Sequence, residues 1–322
     1  MNDKQITRNI AWKKVFGRYG IYLAFILLCV IMSILNPVFL SISNVLNVLR
    51  QVSLIGIIAI GVTFVILAAD IDLSIGAVAA LSGVLAVGFY TGLYTSKLSL
   101  ALSLAIALLV CIAVGLIMGV IITKGKVHSF VVTLGMLSIA RGFALVYTKE
   151  DSLGGLDDAF RFIGGGSVWG IPLPLIFFIV IALLAYLILT KTPYGIYIYA
   201  IGGNQEATRL SGINVDLVRI VSFGICSLLA GFAGIILAAR VNTGQPIAAE
   251  GWNLDAIAAA IIGGTSLLGG KGGVGGTVIG ALFLGVIRNG LNLLGVSSSY
   301  QQVFIGALII VAVIIDSIRK ED

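Results

Sequence analysis

Ten apolar stretches joined by short polar connections dominate this sequence and leave it few folds to choose from. They run over Gly20–Leu35, Val52–Ala69, Leu73–Thr91, Leu98–Ile122, His128–Tyr147, Pro172–Leu189, Leu217–Ala239, Trp252–Leu268, Gly273–Leu294 and Tyr300–Ile315. Most approach or exceed the roughly 17–25 residues with which an α-helix crosses the hydrocarbon core of a bilayer. In that medium a helix satisfies its own backbone hydrogen bonds, whereas an open strand does not. The expected fold is an all-α polytopic membrane protein of about ten transmembrane helices, one domain over residues 1–322. Composition agrees, with 59% of residues hydrophobic and 11% charged against roughly 25% charged in soluble domains. No polar stretch is long enough for a sizeable soluble domain. Two stretches stand apart: Leu73–Thr91 can join the span before it as one broken element, and the short Trp252–Leu268 can dip in without crossing.

Basic residues in short loops set membrane orientation. Lys4, Arg8, Lys13, Lys14 and Arg18 precede the first stretch, so residues 1–19 are expected to be a cytoplasmic segment leading into an uncleaved first span. With all ten stretches crossing, Lys124, Lys126, the loop Lys191–Asp216, Lys271 and Arg319-Lys320 fall inside. The loop with Glu150, Asp151, Asp157 and Asp158 falls outside, as does the turn Ser297–Ser299. Both termini are then cytoplasmic, in a multi-pass membrane protein. The net charge of +6 is dispersed over these loops and is not a nucleic-acid footprint. Cys29, Cys111 and Cys226 lie inside apolar stretches and read as packing residues without a disulfide or metal role. His128, the one histidine, reads as an interfacial residue.

The polar segment Ile201–Asn214 is flanked by long apolar runs. Gly202-Gly203 can make a sharp turn, Asn204 is a good helix N-cap and Gly212 suits the position past a helix end. A helix of about two turns fits between them, with Glu206 near its positive end. Such a helix lies outside the bilayer core and either touches a soluble partner or is a surface connector. The run Leu267–Gly276 lacks the Gly-Lys-Ser/Thr ending of a phosphate loop and follows no strand pattern, so nucleotide binding by this chain is rejected. Its glycines suit a tight inside turn and close helix approach. Gly119 and Gly135 have the spacing of Gly290 and Gly306, a sign of an inverted repeat of the kind many transporters use.

Ionisable groups in a bilayer are costly and usually face a cavity or a partner. Asp70, Asp72, Arg141 and Arg288 are of this kind. Asp72 can cap the helix that follows or face a pathway. Arg240, Glu250 and Asp255 fall at the outer ends of two spans, where they can form a local ion pair of Arg240 with Glu250 or Asp255, or a docking surface for a binding protein. Neutral polyols need only modest polar groups along a pathway, and Asn47, Gln51, Thr63, Thr133, Asn289 and Asn292 are candidates that can equally bond neighbouring helices. The chain shows no metal cluster and no Gly-x-Ser-x-Gly or His-Glu-x-x-His motif, which argues against an intramembrane enzyme; one histidine argues against a histidine proton relay.

Tyr199–Asn214 resembles the cytoplasmic coupling loop of permease subunits of monosaccharide ABC importers. Asp72–Gly76, Thr133–Gly135, Arg141-Gly142, Leu254–Ala259, Ile262–Leu267 and Asn289–Val296 resemble that family's other blocks, in order along the chain. The resemblance implies a transport subunit without its own ATPase site and no cofactor in this chain, ATP and Mg being bound by a partner ATPase. It implies pairing with a second permease copy and an extracytoplasmic sugar-binding protein as the third partner. The coupling element maps onto Gly203, Asn204, Glu206, Ala207, Arg209, Leu210 and Gly212, in the cytoplasmic loop 191–216. Substrate choice would rest largely with the binding protein, ribose first, with galactose, xylose, arabinose and a furanone signal molecule open. Two blocks depart from the family pattern, at Asp70-Ile-Asp72 and at Gly251–Asp255. The runner-up within the class is a branched-chain amino acid ABC permease, which would need charged complements for a zwitterion; an ion-coupled secondary transporter would work alone.

Overall fold

The computed structural model describes residues 20–93 and 96–318. The expectations for residues 1–19, with their basic cluster, and for Arg319-Lys320 lie outside the described residues. Helices α1 (Gly20–Leu35), α2 (Ile42–Leu67), α3 (Ile75–Thr91), α4 (Leu100–Lys124) and α5 (Ser129–Thr148) lead to a polar segment. That segment holds α6 (Asp158–Gly165) and a two-residue hairpin of β1 (Ser167–Val168) and β2 (Ile171–Pro172). Then follow α7 (Leu173–Lys191), α8 (Pro193–Gly203), α9 (Gln205–Leu210), α10 (Val215–Val241), α11 (Trp252–Ile262), α12 (Val274–Leu293) and α13 (Ser298–Ile318). Helices α2, α4, α5, α7, α10 and α12 are long and apolar enough to cross a membrane, and α1, α3, α11 and α13 are the shorter apolar helices at the remaining expected places.

Burial sorts these helices into a centre and a shell. In their apolar windows α2 is 78% and α10 67% buried, against 17% for α5 and 22% for α7. Helix α10 packs on α2, α3 and α4, and α12 packs on α2 and α11. The exposed apolar faces of α4, α5 and α7, with Leu109, Phe143 and Leu183 among them, have the character of a surface that meets lipid or another apolar partner.

Small residues let the central helices touch through their backbones, as the glycine content leads one to expect. A side chain at Gly234 of α10 would strike the backbone of Ala79 of α3. Gly263 and Gly276 leave no room for one against each other, and Gly280 of α12 lies on the carbonyl of Ala259 of α11. Gly119 and Gly290, the first members of the two equally spaced pairs, pack on Ile220 and Met32, while Gly135 and Gly306 meet no atom within reach of an added methyl. The pairs span the hairpins α4–α5 and α12–α13.

Three boundaries differ from expectation. Helix α2 starts at Ile42, not Val52, because its polar first turns are satisfied in place: Ser41 caps it by accepting from the Asn44 amide, and Asn44 pairs with Asn289. Helix α3 starts at Ile75, not Leu73, and is separated from α2 by non-helical residues 68–74; Ala69 there adopts φ +62. Helix α11 stops at Ile262, and residues 263–273 continue as turns around Gly264, Gly269, Gly270 and Gly272, all at positive φ.

Candidate functional site

Asn204 makes α9. Its backbone amide donates to Ala200 O and closes α8, while its side chain accepts from the Ala207 amide at 2.9 Å and opens α9. Thr208 is buried and donates to Asn204 O at 2.7 Å. Gly212, at φ +84, ends the element. The short capped helix is thus as expected, with one correction: Gly202-Gly203 form the last turn of α8, not a free-standing turn, because residues 193–203 are helical. Gly202 presses on the Leu67 carbonyl and on Gly269-Gly270, and Gly270 donates its amide to Leu67 O at 3.0 Å. So α9 stands on a base made from the ends of α2 and α8 and from the turns after α11. Glu206, Ala207, Arg209 and Leu210 point away from that base, and Leu210 is 84% exposed.

A chain of ion pairs links this knob to the bundle. Arg209 Nη2 donates to Asp216 Oδ1 at 2.9 Å, and Lys124 Nζ to Asp216 Oδ2 at 2.8 Å. Three residues along α10, Arg219 holds Asp70 in a two-pronged pair, Nε to Oδ2 at 2.7 Å and Nη2 to Oδ1 at 2.8 Å. Asp70 thereby ties the end of α2 to the start of α10. Beside the pairs runs a groove of about 630 Å³ lined by Lys124, Lys126, His128, Arg209, Asp216 and Arg219 among others. Sequence reasoning left the role of Asp70 open and missed Asp216 and Arg219. The signal was there in an unpaired carboxylate at the end of one span and an arginine in the first turns of another.

At the far end of α10, about 40 Å away at 1.5 Å per residue over its 27 residues, lies a cavity of about 140 Å³ between α2, α10, α11 and α12. Gln51, Arg240, Trp252, Asp255 and Arg288 are on its wall. Here the expected ion pair is corrected. Asp255 accepts from Arg288 Nη2 at 2.6 and 2.7 Å, whereas Arg240 reaches Asn47 Oδ1 at 3.5 Å. Arg288 is one turn short of the α12 end and faces α11, which puts it nearer Asp255 than Arg240 is. Glu250 is exposed, and its charge acts on Arg141. Arg141 donates to the carbonyls of Pro246 and Ala248 and so clamps the α10–α11 connection onto α5.

Most of the other candidates bond between elements, and Asp72 bonds locally. Thr63 and Thr277 share a hydrogen bond of 2.7 Å between α2 and α12. Thr133 donates to Ile71 O at 3.4 Å. Buried Asp72 accepts from both the amide and hydroxyl of Ser74, at 2.8 and 2.6 Å, at the start of α3. Asn292 accepts from Gln301 of α13 at 2.7 Å. Only Gln51 of the pathway set lines the cavity, together with Arg240 and Asp255 of the docking set. Nearby, Asp157 caps α6, and the Tyr90 hydroxyl it accepts, followed by the Phe160 amide, holds its carboxyl below the ordinary range.

The chain is similar to known proteins over most of its length. Residues 44–313 match the family model described as "Branched-chain amino acid transport system / permease component". The ribose import permease protein RbsC of Bacillus subtilis is 45% identical over 96% of this chain and 95% of its own length. That of Haemophilus influenzae is 45% identical over 92% of each. The D-allose transport system permease protein AlsC of Escherichia coli is 39% identical over 94% of this chain and 92% of its own. No solved structure matches the chain. With a family model covering most of its length and import permeases aligned nearly end to end, the chain belongs to this family of ABC importers as a permease component.

Proposed function

We propose that this chain forms the translocation pathway of an ATP-driven importer of ribose or a closely similar monosaccharide, and that α9 is where a separate ATPase drives it. The observation that carries the reading is α9 itself: a six-residue helix, capped at both ends, anchored by Gly202 and Thr208 and presenting Glu206, Ala207, Arg209 and Leu210 outward. ATP and Mg belong to the ATPase, and the chain acts in a pair of copies with α9 and both termini in the cytoplasm. A sugar-binding protein meets the opposite end, near Arg240, Glu250 and Asp255. Motion of α9 is passed on through Arg209–Asp216 and Arg219–Asp70 to α10 and α2, the two most buried long helices. Coupling of this sort needs a two-state element that both sites bias, and the paired ends of α2 and α10 supply one. Ribose is favoured over branched-chain amino acids by the ribose permease relatives at 45% identity.

The test is reconstitution with and without the partners. The chain alone in liposomes should accumulate no sugar; with ATPase, binding protein and ATP it should. Glu206→Lys and Arg209→Glu should each abolish transport while the chain still inserts and keeps its thermal stability. Active accumulation by the chain alone, driven by an ion gradient, would replace this reading with a secondary transporter.

A further inference from the structure

We propose that the cavity between α2, α10, α11 and α12 is a pentose subsite within the permease, so that sugar selection does not rest with a binding protein alone. The inference rests on the importer reading and adds to it a substrate position. Size is the first argument. At about 140 Å³ the cavity is well above the roughly 10–15 Å³ that a single water needs, so it admits a small polyol.

The wall chemistry is the second argument. Arg288 uses only Nη2, on Asp255, and Arg240 uses only Nη2, on Asn47. Among the described residues, the remaining guanidinium N–H groups of both have no protein acceptor. Gln51 donates to Asn47 at 3.4 Å and keeps its carbonyl oxygen free to accept. The planar forks of arginine match two neighbouring hydroxyls as they match a carboxylate. Leu237 and Leu284 give apolar surface for the C–H face of a sugar ring, and Trp252 gives an aromatic one. Asp255 cancels the charge of Arg288, and Arg240 is left with only the neutral Asn47, so the wall keeps one net positive charge whose N–H donors hydroxyl oxygens can meet. The same Trp252 and Leu237 also bound a second cavity of about 230 Å³ that carries Thr243 and Gln245. Trp252 therefore stands between that vestibule and the subsite.

Trp252 also reports on the site. With Trp12 and Trp169 replaced by Phe, it is the one tryptophan of the chain. The purified full chain in nanodiscs is titrated with D-ribose, D-xylose and L-arabinose, and separately with inorganic phosphate. A saturable change in Trp252 emission with at least one pentose is expected, half-complete on the order of 1 mM, the weak binding a conduit tolerates. Gln51→Leu should weaken it at least tenfold, and Leu284→Phe, which fills the cavity without touching a polar group, should abolish it. The proposal falls if no pentose gives a saturable change, if phosphate alone does, or if both variants leave the curve unmoved. Transport by the same single-tryptophan chain with its ATPase and binding protein is measured in parallel: its failure would count against the importer reading, whereas the titration decides the subsite.

Discussion

The pair of Asp70 with Arg219 is the joint on which the coupling argument turns, and its worth can be worked from its setting. The side chains are 4% and 15% exposed, and both carboxylate oxygens are engaged. Removing one partner of a buried pair costs about 3–5 kcal/mol, chiefly from the charge left behind. The groove of about 630 Å³ alongside admits water, so the lower end, about 3 kcal/mol, is expected for Asp70→Asn and for Arg219→Gln. The double variant leaves two amides that can bond each other and no stranded charge. It should cost only about 1 kcal/mol, an interaction energy of roughly 5 kcal/mol between the sites, beyond the range of 0.5–3 kcal/mol usual for contacting residues because both single losses are charge penalties. At about 2 °C per kcal/mol for a chain of this size, each single variant should melt roughly 6 °C lower, and the double variant roughly 2 °C lower. Loss of soluble, monodisperse protein on heating in detergent, read by size-exclusion chromatography, gives the midpoints. A double variant that melts about 12 °C lower, the sum of the singles, would refute the joint.

Two further outcomes follow from other contacts. Gly280→Val should drive a methyl into the Ala259 carbonyl and part α11 from α12 at a cost of about 1–3 kcal/mol or more; Gly306→Ala, where nothing lies within reach, should leave the melting midpoint unchanged, and equal effects of the two would refute the packing argument. Asp157 has a folded carboxyl held below the ordinary range, so its hold on the Phe160 amide is present above that range and lost as pH falls through the lowered value. Tyr90→Phe removes the largest cause and should move that loss to higher pH, read as faster hydrogen exchange over residues 157–165 at mildly acid pH than in the parent protein; identical profiles would show that the hydroxyl does not anchor the loop.

The fold was legible because a bilayer leaves so few options: apolar runs of bilayer length declare helices, and glycine density declares close packing. The first turns of α2 were not legible. Asn44 precedes the expected span at Val52, and only its partner Asn289 on α12, with Arg240 of α10 on Asn47, shows how these polar turns stay helical. The capped helix at α9 was readable from Asn204 and Gly212 because caps are local chemistry. Pairing across the bundle is not local, so the sequence offers Arg240 either Glu250 or Asp255 and does not point to Arg288, the partner Asp255 has. For the same reason Thr63, Thr133 and Asn289 read equally as pathway residues or as bonds to neighbouring helices, and only the structure shows the bonds they make between elements.

The side of the membrane on which α9 stands decides the account. Cys29, Cys111 and Cys226 are replaced by Ala, and Leu210, 84% exposed at the tip of the knob, by Cys. A membrane-impermeant maleimide should fail to label intact cells, should label after the membrane is opened, and should be blocked when the ATPase is bound. Labelling of intact cells from outside, or labelling that the ATPase does not slow, would contradict it.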